Sequence, residues 1–154
     1  MIEADLYEPI KIAIKNLLSE SNCNNIHIEI TATNRFSNQL KQKFGKVLYL
    51  LDKSFSPDLS GVYTNFKEKI IIIEVKKDEL TIQNIYQTIA YYELVGADIG
   101  ILISPKTLPI KIKTFLDKRL DIIQKKDRHI FIAVFDLKDN KIAELSWYPL
   151  QPKF

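Results

Sequence analysis

Four consecutive isoleucines, Ile70 to Ile73, stand between Lys69 and Glu74-Val75-Lys76 near the middle of the chain. A β-branched run is stiff at χ1 and suits extended backbone. Because the run does not alternate with polar residues, it leaves no face for water and predicts a central strand covered on both faces. Such a strand needs helices above and below it. Upstream, Leu6, Ile10, Ile14 and Leu17 recur at helical spacing, with Pro9 in the first turn where its missing N–H does no harm. Downstream, Thr81 is a suitable N-cap and Gly96 a suitable stop for a helix running to about Val95. Asp98 to Ser104 (DIGILIS) then reads as a second buried strand. Strand–helix–strand over residues 69–104 implies a right-handed parallel crossover.

The flanking sequence fills in the rest of the sheet. Ile26, Ile28 and Ile30 alternate with polar residues as a half-buried strand does. Residues 34–45 are polar and basic, a loop or short helix, and Lys46 to Leu51 (KVLYLL) reads as the next strand. Ser56-Pro57-Asp58 breaks the chain before a short strand from Gly61 to Phe66. Leu108 to Lys126 predicts an amphipathic helix with Ile112, Phe115, Leu116 and Ile123 inward. Ile130 to Phe135 and Lys141 to Trp147 flank Lys138-Asp139-Asn140 as a hairpin. The expectation is one α/β domain over residues 1–154, a sandwich around a mixed sheet.

With 154 residues, 46% of them hydrophobic, the chain can bury a real core. A single cysteine, Cys23, excludes an internal disulfide and any cysteine-built metal centre, and fits a reducing, cytoplasmic setting. The acidic start MIEADLYEP lacks the basic and apolar regions of a secretory signal, and no run approaches the ~20 apolar residues of a membrane span. Four glycines, none in a phosphate-loop or dinucleotide pattern, exclude a nucleotide cradle of backbone amides. His27 and His129 read as strand-flanking surface histidines.

Chemistry concentrates at the end of the isoleucine strand. Residues two apart on a strand share a face, so Glu74 and Lys76 project together while Val75 turns to the opposite layer. If the Asp58 segment pairs beside them, two carboxylates and an ammonium meet at one edge. Hard oxygen ligands of this kind bind Mg²⁺, which keeps several waters and takes one or two carboxylates. Such an ion acidifies a bound water, and a nearby lysine offsets charge developing on a phosphate.

Pro57-Asp58 followed by Glu74-Val75-Lys76 resembles the signature of the PD-(D/E)XK nuclease superfamily. Gln87-Thr88-Ile89-Ala90-Tyr91 on the next helix resembles the QxxxY motif of its RecB-type branch, and residues at i and i+4 share a helix face. The resemblance covers roughly residues 3–104. It implies a restriction-endonuclease-like three-layer sandwich with an αβββαβ core, here followed by a C-terminal helix and β-hairpin. It further implies metal-dependent hydrolysis of DNA. Asp58 and Glu74 with the Val75 carbonyl would hold Mg²⁺ or Mn²⁺, Lys76 and Gln87 would position the attacking water, and Tyr91 would pack or touch phosphate. A first-helix glutamate is also implied, which Glu3 matches best, with Glu8 as runner-up. The iron–sulfur branch of RecB-type nucleases is excluded by the lone cysteine. Two alternatives accompany this reading: a nucleic-acid-binding module on the same fold without catalysis, and an endonuclease resembling the Holliday-junction resolvases. Arg35, Lys41 and Lys43, interleaved with Phe36 and Phe44, are candidate phosphate contacts. No membrane partner is expected, and the apolar C-terminal hairpin is a candidate homodimer surface.

Overall fold

The computed structural model describes residues 1–52, 54–125 and 127–154. A short 3-10 turn, Glu3–Leu6, leads into helix α1 (Tyr7–Glu20), and β1 (Asn24–Ile30) follows. Helix α2 (Asn38–Phe44) and a 3-10 segment (Gly45–Leu50) precede the hairpin β2 (Leu59–Asn65) and β3 (Lys67–Val75). Next come α3 (Ile82–Val95), β4 (Ile99–Ser104), α4 (Ile110–Lys118) and a 3-10 turn (Leu120–Ile122). The chain closes with β5 (Gln124–Lys125), β6 (Arg128–Lys138) and β7 (Lys141–Tyr148).

The sheet is mixed, in the order β1-β2-β3-β4-β6-β5 with β7 also on β6. Pairings β1–β2, β2–β3 and β6–β7 are antiparallel, whereas β3–β4 and β4–β6 are parallel. The isoleucine strand is therefore interior, with a neighbour on each side. Its alternate residues divide between two cores. Ile71, Ile73 and Val75 meet α1 through Leu6, Ile10, Ile14 and Leu18. Ile72 faces the opposite core with Ile85 and Tyr91 of α3, Leu40 of α2 and Leu116 of α4. Both faces are covered, a mixed α/β architecture compatible with three layers. No helix among the described residues is long and apolar enough to cross a membrane.

Local chemistry sets the helix ends. The Thr81 hydroxyl accepts from the Asn84 N–H, the Asn84 side chain returns the bond to the Thr81 N–H, and Gly96 at φ +71° ends α3. Gly61 is required by close approach: a Cβ there would lie 2.4 Å from the His27 carbonyl oxygen on β1. Gly61→Ala is expected to force β1 from β2 and to lower stability by about 1–3 kcal/mol, read as a melting temperature several degrees lower. An unchanged melt would mean that this strand pair yields without cost.

Two sequence expectations fail. Lys46 to Leu51 is not a strand but mostly the 3-10 segment Gly45–Leu50. Val47 and Leu48 are half-buried while Tyr49 and Leu50 are exposed, and a short apolar run does not by itself separate strand from helix. Both edges of β2 are already taken by β1 and β3, so no place beside β2 remains for it. The helix expected over Leu108–Lys126 stops at Lys118; its final residue, Lys126, lies outside the described residues. Arg119 leaves helical geometry at φ −132°, ψ 48° and forks onto Asp121, and Gln124–Lys125 pair instead with Arg128 and His129. The C-terminal hairpin turns on Asp139 and Asn140, at φ +51° and +60°, the left-handed pair that a tight hairpin needs. Its apolar residues Leu137, Ile142, Leu145 and Trp147 are partly buried, packed against the α1-side core.

Candidate active site

Strand register brings the two acidic segments together. Leu59 pairs with Ile73 and Ser60 with Ile72, so one further step places Asp58 across from Glu74. The two carboxyls therefore adjoin where β2 begins and β3 ends, near enough for each to shift the other's titration. The loop carrying Asp58 is clamped from β1's end. The Asp58 carbonyl accepts from Thr31 N–H at 2.8 Å and Ala32 N–H at 3.1 Å. The Thr31 hydroxyl donates to the Pro57 carbonyl at 2.7 Å and lies 2.9 Å from the Ser60 hydroxyl, while Ser56 Oγ donates to the Thr31 carbonyl. Thr31, Ser56 and Ser60 are all buried, and each satisfies its hydroxyl within this clamp.

Both oxygens of Asp58 are bonded: Oδ2 accepts from Val75 N–H at 2.8 Å and Oδ1 from the Tyr7 hydroxyl at 3.0 Å. Glu74 is more deeply buried, with 3% of its side chain exposed, and Lys76 Nζ lies 3.2 Å from its Oε1. Its Oε2 is buried with no hydrogen-bond partner among the described residues. On α3, Gln87 Nε2 donates to the Tyr91 hydroxyl at 3.2 Å, and the Tyr91 ring packs against Phe55 with centroids 4.7 Å apart.

Electrostatics tie these groups into one cluster. Burial, reinforced by the charge of Asp58, pushes the Glu74 carboxyl up to about 8, with Lys76 opposing. Burial raises Asp58 as well, although Val75 N–H, Tyr7 and Lys76 pull it down. For Lys76 burial acts downward, but Glu74, Glu3 and Asp58 outweigh it and the ammonium is held more firmly than usual. Burial and then the charge of Glu74 raise the Tyr91 hydroxyl, so it keeps its proton. Burial raises the Glu3 carboxyl, Lys76 lowers it and Asp58 raises it again, which sets Glu3 beside the cluster. Glu8 instead lies on the outer side, 3.7 Å from Lys11.

Of the basic candidates, Lys41 and Lys43 lie on α2 and Arg35 precedes it. Arg35 and Lys41 are exposed, but Lys43 is paired with Glu68, which is six residues, or ~20 Å, up β3 from Glu74. His27 lies 2.6 Å from Glu29, which also accepts the Ser37 N–H that opens α2, so this group orders the helix start. Cys23 is buried.

Two features escaped the sequence reading. Tyr7 lies four residues after Glu3, on the helical spacing that would have put both at one place. Thr31 follows the last isoleucine of β1, where a polar residue gave no sign of holding Pro57. If Asp58 and Glu74 hold a divalent cation, Tyr7→Phe is expected to lower metal affinity or turnover roughly 10–100-fold with the fold intact, checked by calorimetry and steady-state rates. No change in either would reduce the hydroxyl to a space-filling role.

Among the described residues no group of three or more His, Cys, Asp and Glu side chains is arranged to hold a metal. What is present is two carboxylates, a strand carbonyl at Val75 and an orphaned buried carboxylate oxygen. That donor set suits a hard divalent cation that keeps several waters, and does not suit a closed four-ligand zinc site. No protein family, curated protein or solved structure matches this chain.

Proposed function

We propose that this chain is a Mg²⁺-dependent nuclease that hydrolyses DNA phosphodiester bonds, with its core in the restriction-endonuclease-like arrangement. The observation that supports this reading is the meeting of Asp58, Glu74 and Lys76 where β2 begins and β3 ends, with Gln87 and Tyr91 on the following helix. Asp58 and Glu74, with the Val75 carbonyl, would hold Mg²⁺ or Mn²⁺, and the unpartnered Glu74 Oε2 is suited to that cation. A bound cation would supply polarisation of the phosphoryl oxygen and a more acidic water.

The chain's own side chains then divide the work. Lys76 keeps its proton, so it donates hydrogen bonds and offsets negative charge rather than removing a proton. Gln87 has its carboxamide nitrogen on Tyr91, leaving its oxygen free to accept from an attacking water. Tyr91 and Tyr7 hold Gln87 and Asp58 in place. Exposed Arg35 and Lys41 would grip phosphates, a contact that weakens with salt; Lys43, engaged by Glu68, is left out.

The test offers the purified chain supercoiled plasmid, linear duplex, flapped and single-stranded DNA, with Mg²⁺ or Mn²⁺ or with excess chelator. Cleavage of at least one substrate is expected with metal and none with chelator. Binding of DNA without cleavage under every metal condition would instead assign the chain as a non-catalytic nucleic-acid-binding module.

A further inference from the structure

At the other end of the sheet a cleft of about 620 Å³ opens between the starts of β3 and β4, residues Gln124, Asp127, His129 and Phe131, and the tail after β7. Its lining includes apolar groups from Tyr92, Ile99, Phe131 and Pro149. Lys67, Lys69 and Lys153 bring positive charge to it. Among the described residues none of these three lysines is within ion-pair distance of an acid. Two acids share the wall, Asp98 and Asp127, but Asp98 is already engaged, accepting from Ile70 N–H at 2.8 Å. The volume falls in the ordinary range for a binding site, and the surplus charge is cationic.

Two large apolar side chains extend this surface outward. Leu150 lines the cleft and is 75% exposed, and Phe66, next to Lys67, is fully exposed. Phe66 has φ +63°, because Asn65 pairs directly with Lys67 and the one residue between them must make the turn. Glycine or asparagine makes such a turn with less strain than a bulky residue. The ring buries nothing in the fold, so neither turn geometry nor core packing accounts for a phenylalanine here. A positive φ held by an unburied aromatic is an outlier that motivates a functional reading of this position.

We propose that this cleft docks an acidic peptide segment of a partner protein, seating an apolar anchor residue on its floor. The lysines pair with the flanking carboxylates, and Phe66 and Leu150 cover the chain on either side. A small anion would leave Phe66 bare, and a peptide side chain flanked by carboxylates matches an apolar floor rimmed by lysines without a lipid leaving its bilayer or a base leaving its duplex. Lys67 is seven residues along β3 from Glu74, ~23 Å, so the occupant leaves the carboxylate cluster open. The proposal does not depend on the nuclease reading.

A random-peptide phage library panned on the immobilised full chain is the test, followed by fluorescence anisotropy with the leading peptide. Enriched sequences are expected to carry several Asp or Glu around one Leu, Phe or Trp. Affinity of the leading peptide is expected to fall at least tenfold in Lys67→Glu/Lys69→Glu and in Phe66→Asn, and to be unchanged in Asp58→Asn. Phe66→Asn is expected to melt no lower than the parent chain, which separates lost binding from lost folding. Enrichment without the acidic–apolar pattern, or binding indifferent to both variants, would overturn the proposal. So would competition by anionic phosphatidylserine vesicles or duplex DNA that displaces the peptide through the same residues.

Discussion

Asp58→Asn and Glu74→Gln are each expected to lower DNA cleavage roughly 10³-fold or more while leaving the chain folded. Losing one carboxylate from a two-carboxylate cation site removes several kcal/mol of charge stabilisation, and each 1.36 kcal/mol is tenfold in rate. The amides retain the shape and much of the bonding. At position 58 an amide oxygen can still accept from Val75 N–H, and the amide nitrogen can donate to the Tyr7 oxygen. At position 74 an amide can still occupy the buried slot beneath Lys76. Circular dichroism and melting curves check the fold, and single-turnover cleavage checks the rate. Parent-like cleavage by either folded variant would remove that carboxylate from the chemistry.

Glu74→Gln is also expected to be more stable than the parent chain at pH 8 in the absence of divalent metal. In the folded chain the Glu74 carboxyl rises to about 8 because it is buried beside Asp58, whereas unfolded it returns to an ordinary carboxylate near 4.5. Between these two values the folded state holds a proton that the unfolded state has released, so stability falls as pH rises through the window. Asp58, also raised by burial, adds in the same direction. The loss is on the order of a few kcal/mol, or roughly 5–10 °C in melting temperature between pH 5 and pH 8 for a chain of this size. The amide of the Glu74→Gln variant does not titrate, so that variant should lose most of the slope, and millimolar Mg²⁺ should restore the parent chain at pH 8. A parent melt that rises from pH 5 to pH 8 without metal would contradict the burial and charge assigned to Glu74.

The two carboxylates and the stability curve have the same origin. Ionised side chains are rarely buried without a partner, and among the described residues Lys76 is the one cation paired with Glu74, while Asp58 adjoins it. If the site receives a dication, as proposed, this crowding of two buried carboxyls is useful, because the cation would compensate the charge that burial disfavours.

Much of this was visible in the residues because the signals were local. The isoleucine run, with polar punctuation on either side, marked an interior strand, and Thr81 and Gly96 bounded α3 through capping chemistry that acts within one turn. The two-residue period of β3 separated Glu74 and Lys76 from Val75, and their placement in opposite layers follows from it. The features that were missed involve contacts between distant segments. KVLYLL carries the same apolar content as a strand, and only the occupied edges of β2 decide against that. The end of α4 depends on Gln124 and Lys125 finding partners in Arg128 and His129. The Tyr7–Asp58 bond joins residues 51 apart, and the Thr31 clamp joins β1 to Pro57 across 26. Lys43 read as free because its partner, Glu68, stands on another element.

Crystals grown with Mn²⁺ and measured at the manganese absorption edge give the most direct test of the central claim. The expected result is an anomalous peak between Asp58 and Glu74, about 2–2.5 Å from a carboxylate oxygen of each, and its loss in Glu74→Gln crystals. Crystals soaked in millimolar Mn²⁺ that bind the ion elsewhere, or show no peak between these two carboxylates, would contradict it.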